Sequence, residues 1–303
     1  MTARRATPPR LRLAAALALV AMTACWGSTF VLIKDLLDRV PALDFLGVRF
    51  AIAALVMAAV APGALRRLPR PLVRRSVALG ALYGAAQIAQ TLGLAHTAAS
   101  VSGFVTGLYV VATPVLAALV LGDRIGARTW LAVLLATLGV ATLTLDGLAL
   151  GYGEALTLVG AILYAAHIVG LAAWTDPAHP VAHTWAMATV QVTVIAVICL
   201  VGAAPGGLTL PDRPADWVAV LYMALVAGAL ALVAQTWAQA HLRPTAAAVI
   251  MSMEPVWAAG FAVGLGGESL SGRLAAGGAC VLAGMVLVGT ATGHDARAGQ
   301  GVG

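Results

Sequence analysis

Apolar residues run along this chain in blocks separated by short segments rich in Arg, Pro, Gly and Asp. A block of about 20 residues crosses the ~30 Å hydrocarbon core of a bilayer as one helix. Ten such blocks are read, over 13–33, 44–61, 76–95, 100–121, 128–146, 153–174, 183–203, 216–238, 245–266 and 273–292. Turn formers lie between them: Pro62-Gly63, Asp146-Gly147, Pro177 to Pro180 and Pro205 to Pro214. The longest connections, 62–75 and 204–215, are too short for a soluble domain. The alternating polarity of a transmembrane barrel strand is missing. The pattern predicts an all-α polytopic membrane protein with ten transmembrane helices. Residues 1–12 form an N-terminal tail, and the Gly-rich 293–303 reads as a disordered C-terminal tail.

Composition agrees with that pattern. The chain is 61% hydrophobic and 10% charged, with a mean hydropathy of +0.95. A soluble protein of 303 residues needs more charge to cover its surface. The net charge of +6 raises the question of nucleic acid. The arginines lie between apolar blocks, however, so they read as topology signals and no nucleic-acid partner is expected. With the N-terminus inside, 13 Arg residues fall on the cytoplasmic side and only Lys34, Arg39, Arg213 and Arg273 outside. Both termini are therefore expected in the cytoplasm. Arg4, Arg5, Arg10 and Arg12 precede the first block as in a signal peptide, but that block continues to Ile33 and is read as a membrane helix. Cys25, Cys199 and Cys280 all sit in apolar runs, with neither metal-ligand spacing nor a disulfide framework. One Lys against seventeen Arg suggests a GC-rich bacterial genome, hence a bacterial inner membrane.

A shift of 145 residues brings the chain partly onto itself. Ala89-Gln90-Thr91 falls on Ala234-Gln235-Thr236, and Ala95-His96 on Ala240-His241. Gly122-Asp123 falls on Gly267-Glu268, Arg128 on Arg273 and Gly139 on Gly284. A repeat of five helices is odd-numbered, so its second copy must enter the membrane upside down. Inverted repeats of this kind build secondary transporters, with the site near the midplane where the halves meet. The halves are read as 13–148 and 149–292. Pro114 and Pro255 each interrupt a helix near mid-membrane and lie one turn apart in the alignment. Proline removes a backbone donor and kinks a helix, and carbonyls freed there can line a cavity.

Several motifs resemble the EamA-type transporters of the drug/metabolite transporter superfamily. Trp26-Gly27-Ser28-Thr29-Phe30, Lys34 and Arg49-Phe50 are similar to that family's opening. Gly103-Phe104-Val105-Thr106-Gly107-Leu108-Tyr109-Val110-Val111, Thr113-Pro114 and Gly122-Asp123 resemble the end of its first repeat. Met253-Glu254-Pro255-Val256 and Gly267-Glu268 resemble the second. The family usually has Gly-Glu where this chain has Gly122-Asp123, and the second-half counterpart of Trp-Gly, near Tyr164-Ala165, is weak. The resemblance spans about residues 15–290 and implies ten helices in two inverted five-helix repeats that export or import small metabolites.

Glu254 carries the strongest chemical signal. An acid at the centre of a membrane helix costs roughly 2.5–3.5 kcal/mol on insertion scales, and such acids usually face a cavity. Proton coupling, contact with a cationic or amine-bearing substrate, and a purely structural hydrogen bond all fit it. Tyr83, Gln87 and Gln90 form one helical stripe, and Gln235 and Gln239 another. Each stripe can line a wet path or hydrogen-bond neighbouring helices. Tyr109 and Tyr164 offer an aromatic face and a hydroxyl to a substrate or to packing. His167, one turn from Tyr164, reads as a relay partner for Glu254 or as a structural residue. Trp26, Trp237 and Trp257 read as cavity walls. Lys34 and Arg49 read as snorkelling cations, with Arg49 the deeper and available to an acid. Gly80/Gly84, Gly103/Gly107 and Gly260/Gly264 read as close-packing pairs.

The function expected is secondary-active transport, in the direction of export, of small metabolites, amino acids or drug-like compounds by alternating access with proton or gradient coupling. No Walker loop, no Gly-x-Ser-x-Gly and no metal-ligand cluster is present, so neither enzyme chemistry nor a cofactor is expected. A passive channel or a lipid-handling protein is the alternative. The partners expected are a small solute and the lipid bilayer, with a homodimer allowed.

Overall fold

The computed structural model describes residues 9–121, 126–146, 149–174, 181–231, 234, 238 and 250–298. These residues are almost entirely helical. The first half comprises α1 (Pro9–Leu37), α2 (Ala42–Val60), the short α3 (Pro62–Arg66), α4 (Arg70–Ala95), α5 (Ala99–Gly107), α6 (Tyr109–Leu121) and α7 (Ala127–Thr144). A two-residue antiparallel ladder, Leu145–Asp146 with Ala149–Leu150, joins it to the second half. There follow α8 (Tyr152–Trp174), α9 (Val181–Ala203), a 3-10 turn (Ala204–Gly206), α10 (Pro214–Leu221), a π-helical stretch (Tyr222–Leu230), α11 (Glu254–Gly264) and α12 (Gly272–Ala298).

Seven described segments are long and apolar enough to cross a membrane, with Ala99–Leu119 counted as one, and Pro214–Leu230 and Gly272–Leu287 are shorter apolar helices. The expected helices four, eight and nine are not continuous rods. Helix four breaks at Leu108, helix eight widens into the π-helix after Leu221, and helix nine breaks at Ser252-Met253. The expected loop 62–75 is largely helical. Pro62 and Pro71 each lie in a first turn, where a missing N–H costs nothing and the ring presets the helical φ. At the far end α12 continues to Ala298, six residues into the segment expected to be disordered. That stretch contains no proline, so nothing in it blocks continuation of the helix.

The packing has a two-fold logic. α2 lies against α9, α7 against α12, α6 against α8 and α11 against α1. A shift of 145 exchanges the α6–α8 contact with the α11–α1 contact and maps the other two onto themselves. Glycines set the closest approach. A Cβ on Gly139 would fall 2.6 Å from the Gly277 oxygen and 2.7 Å from the Val281 nitrogen. One on Gly284 would meet the Ala132 oxygen at 2.7 Å and the Ala136 nitrogen at 3.1 Å. Since 132 and 136 become 277 and 281 under the shift, these are the same contact seen from each half. Gly80 packs on Gln191 and Gly103 on Ala258, but nothing lies within 4 Å of a Cβ on Gly260 or Gly264, so that pair is not a packing seam.

One core joins Phe30, Leu36, Phe45, Leu46, Phe50, Leu94, Ile195 and Met223, and a second joins Phe104, Val105, Ala136, Val281 and Met285. Outside them Leu17, Leu55, Leu119, Leu134, Leu138 and Val201 are exposed, as expected of a surface solvated by lipid. Polar contacts gather the loops into two faces. On one, Lys34 Nζ donates to the carbonyls of Leu94 (2.9 Å), Ala95 (3.1 Å) and Thr97 (2.7 Å). On the same face Thr97 donates to Glu154 (2.6 Å), and Glu268 accepts from the Ala99 amide (2.7 Å) and the Ser100 hydroxyl. Arg39 reaches Asp216 there at 2.7 Å, and Asp44 accepts from the Thr209 amide at 2.9 Å. Hydrogen bonds to Asp216, then Asp35, hold the Arg39 proton more firmly than usual. On the other face Arg75 donates to the Trp174 carbonyl at 3.3 Å, and Leu68 and Leu72 pack on Met187.

Candidate functional site

The break in helix four and the break in helix nine fall at matching positions, because Leu108 shifted by 145 is Met253. Each break therefore starts a new helix with a polar side chain in its first turn, Tyr109 for α6 and Glu254 for α11. Pro255 follows at once in the first turn of α11, whereas Pro114 lies inside α6. The Tyr109 hydroxyl donates to Glu254 Oε2 at 3.4 Å. Tyr109 and Glu254 are themselves related by the shift, and a residue that touches its own counterpart lies on the axis between the halves.

Around this pair the helices present a polar and aromatic wall. Tyr164 on α8 donates to Gln90 Oε1 at 2.6 Å, and Gln90 Nε2 donates to Thr106 Oγ1 at 3.1 Å. Gln87 donates to the Tyr83 hydroxyl at 3.0 Å. The Tyr83 ring lies 5.7 Å from that of Tyr164, which lies 6.4 Å from that of Tyr109. His167 stacks on Tyr83 at 5.0 Å and hydrogen-bonds Gln191 at 2.7 Å. Phe50 meets the edge of Tyr83 at 6.3 Å, and the Arg49 guanidinium lies over Phe45 and Phe50 at 5.9 and 5.2 Å. Gln87, Thr106, Gln191 and Arg49 are buried, while Tyr83, Gln90, Tyr109, Tyr164, His167 and Glu254 are half-buried. Half-buried polar groups thus stand beside buried core residues at one place in the bundle. Among the described residues Glu254 has no cation beside it, and its hydrogen-bond partner is Tyr109.

Seven of the expected site residues, Tyr83, Gln87, Gln90, Tyr109, Tyr164, His167 and Glu254, therefore meet in one place. Others do not join them. Trp26 Nε1 donates to the Ala227 carbonyl at 2.7 Å, which anchors α1 to the π-helix. Trp257 packs on Gly27 and lies 6.3 Å from Phe261. Gln235, Gln239 and Trp237 lie outside the described residues. Arg49 neither snorkels nor pairs with an acid, because α2 packs it inward against its own phenylalanines. His167 bonds Gln191 and not Glu254. Sequence reasoning missed Gln191 and Thr106. The amide of Gln191 within the apolar run Val181–Ala203 was the available signal. Among the described residues no group of His, Cys, Asp and Glu is placed to hold a metal. A separate cavity of about 250 Å³ lies at the Lys34 face, between Ser100, Leu143, Glu268 and Arg273, away from the tyrosines.

A family model for the EamA-like transporter family matches residues 13–145 and again 151–290. The chain belongs to the EamA-like transporter family. It is 29% identical over 265 residues to an uncharacterized transporter of Archaeoglobus fulgidus, covering 86% of this chain and 80% of that protein. It is 28% identical over 266 residues to the uncharacterized inner membrane transporter YedA of Escherichia coli K12, covering 84% and 83%. A protein of known crystal structure shares the fold at TM-score 0.64 and 17% identity, over 90% of this chain and 96% of that one. This EamA-like protein is thus a multi-pass membrane protein, and its family and relatives place it among transporters.

Proposed function

We propose that this chain is a secondary-active transporter that exports small metabolites by alternating access, with Glu254 as the coupling group. The observation that carries the reading is the Glu254–Tyr109 pair, set at two matched helix breaks on the axis between the halves and surrounded by half-buried Tyr and Gln side chains. A half-helix begins at each of these residues, and helix N-termini carry partial positive charge, which favours a carboxylate beside them. Tyr83, Gln87, Gln90, Tyr109, Tyr164 and His167 line the solute path in this reading. The reciprocal contacts of Gly139 and Gly284 support ten helices arranged as two inverted repeats of five. Rocking one half against the other about that axis would open the site to each side in turn. The arginine bias supports cytoplasmic termini and the Lys34 face outside.

The test is metabolite profiling of medium from cells that express the native chain or Glu254→Gln at equal membrane levels. A metabolite enriched outside by the native chain alone, at least about tenfold over the variant, identifies the exported solute and places Glu254 in the mechanism. Equal export by both chains would remove Glu254 from it. A flux that does not saturate and ignores the proton gradient would favour a channel.

A further inference from the structure

The helix α2 carries a cation deep in its apolar run. Arg49 lies seven residues from Ala42, about 10 Å along the axis at ~1.5 Å per residue, well into the hydrocarbon region. It is only 8% exposed. Its guanidinium has five N–H donors. Among the described residues none of them makes a hydrogen bond or an ion pair, the ion pairs being those of Arg39 with Asp35 and Asp216. The rings of Phe45 and Phe50 provide a cation–π contact worth about 0.5–2 kcal/mol. That is small beside the cost of taking an uncompensated charge out of water. The nitrogens are not sealed off either. Ser102 Oγ and Trp257 Nε1 are shut in without partners, and the guanidinium is not among such atoms.

A row of rings runs from Arg49 across the helices. Phe50 leads to Tyr83, Tyr83 to Tyr164, and Tyr164 to Tyr109 and Glu254. Ring contacts therefore lead from Arg49 to Glu254, and among the described residues no ion pair joins the two. We propose that Arg49 binds a carboxylate group of the transported solute, at the α2 end of the row of aromatic rings whose other end is Glu254. This rests on the transport reading above and specifies its substrate class. The planar fork of a guanidinium matches a carboxylate with two parallel hydrogen bonds, and the site is dry enough to make them strong. The body of the solute lies over Phe50 and Tyr83. An amine at the far end would face Glu254, leaving neither buried charge uncompensated, whereas a simple amine would leave Arg49 bare.

Equilibrium dialysis tests this on the purified full-length protein. The probes are the proteinogenic amino acids, the amines left when their carboxylates are removed, the acids left when their amines are removed, and small phosphate monoesters, each at millimolar concentration. Carboxylate-bearing solutes are expected to concentrate on the protein side, and their matched amines are not. Arg49→Gln should cut that binding at least about tenfold, and Arg49→Lys, which keeps the charge but loses the fork, should retain part of it. Monodisperse elution and unchanged helical circular dichroism in both variants separate binding from folding. Four outcomes overturn the proposal: amines bound as well as acids, phosphate esters bound in place of carboxylates, undiminished binding by Arg49→Gln, or no carboxylate bound at all. Amine binding that depends on Glu254 but not on Arg49 would overturn this assignment alone and leave the transport reading standing. Arg49-dependent carboxylate binding with equal export by Glu254→Gln would do the reverse.

Discussion

Gln90 is the residue whose two ends are both committed. Its carbonyl accepts from Tyr164 and its amide donates to Thr106, so one side chain joins α4, α5 and α8. Gln90→Leu has nearly the right shape but satisfies neither neighbour. The orphaned hydroxyls should cost about 1–3 kcal/mol together, read as a lower thermal midpoint in detergent. If Gln90 also lines the solute path, transport should fall by more than the lost folded fraction explains. The sequence places Gln90 on a polar stripe with Tyr83 and Gln87, and in the fold all three join the tyrosine cluster of the candidate site. The pairing of His167 with Gln191 was not legible, because the partner lies on α9 and spacing along one helix carries no information about the next.

At the level of elements, the helix breaks and the glycine seams are complementary devices. The breaks at Leu108 and Met253 create first turns in the middle of the bundle, and first turns can hold polar side chains that a continuous apolar helix cannot. The seams let α7 and α12 approach until backbone meets backbone. Gly139→Leu should force those helices apart, because the first atom of the new side chain already collides with main chain that has nowhere to move. A loss of about 1–3 kcal/mol or more is expected from such overpacking. Gly260→Leu should leave stability unchanged, since its side faces open space. Thermal melts of the two variants side by side check both. A small-xxx-small spacing thus marks where helices can approach, and only the assembled bundle shows which ones do.

For the whole molecule, the two faces defined by polar contacts agree with the arginine count made from sequence. Lys34, Arg39 and Asp216 share one face, and Arg66, Arg67, Arg70, Arg74 and Arg75 cluster in sequence around α3 and the start of α4 at the other. The proposed orientation puts the second face in the cytoplasm. With Cys25, Cys199 and Cys280 replaced by Ala, a single cysteine at Thr209 should react in intact cells with a membrane-impermeant maleimide. One at Arg67 should react only after permeabilisation. Both positions are exposed, and the backbone amide of residue 209 that bonds Asp44 survives the change. The reverse pattern would invert the molecule and reassign the Lys34 face to the cytoplasm.

The sequence determined everything that depends on the chain meeting a bilayer one segment at a time. Apolar length fixes which segments insert, arginine placement biases their direction, and the shift of 145 exposes the duplication. An acid in an apolar run marks a candidate site because its cost is local. What the sequence could not decide is whatever depends on two distant segments sharing space. Arg49 looked like a cation on its way to a headgroup and is in fact turned inward, because α2 packs against α9 and leaves it no route out. Tyr109 and Glu254 read as two separate candidates, 145 residues apart. Only the closure of one half upon the other makes them a pair, since a hydrogen bond between symmetry-related residues exists on an axis that neither half possesses alone.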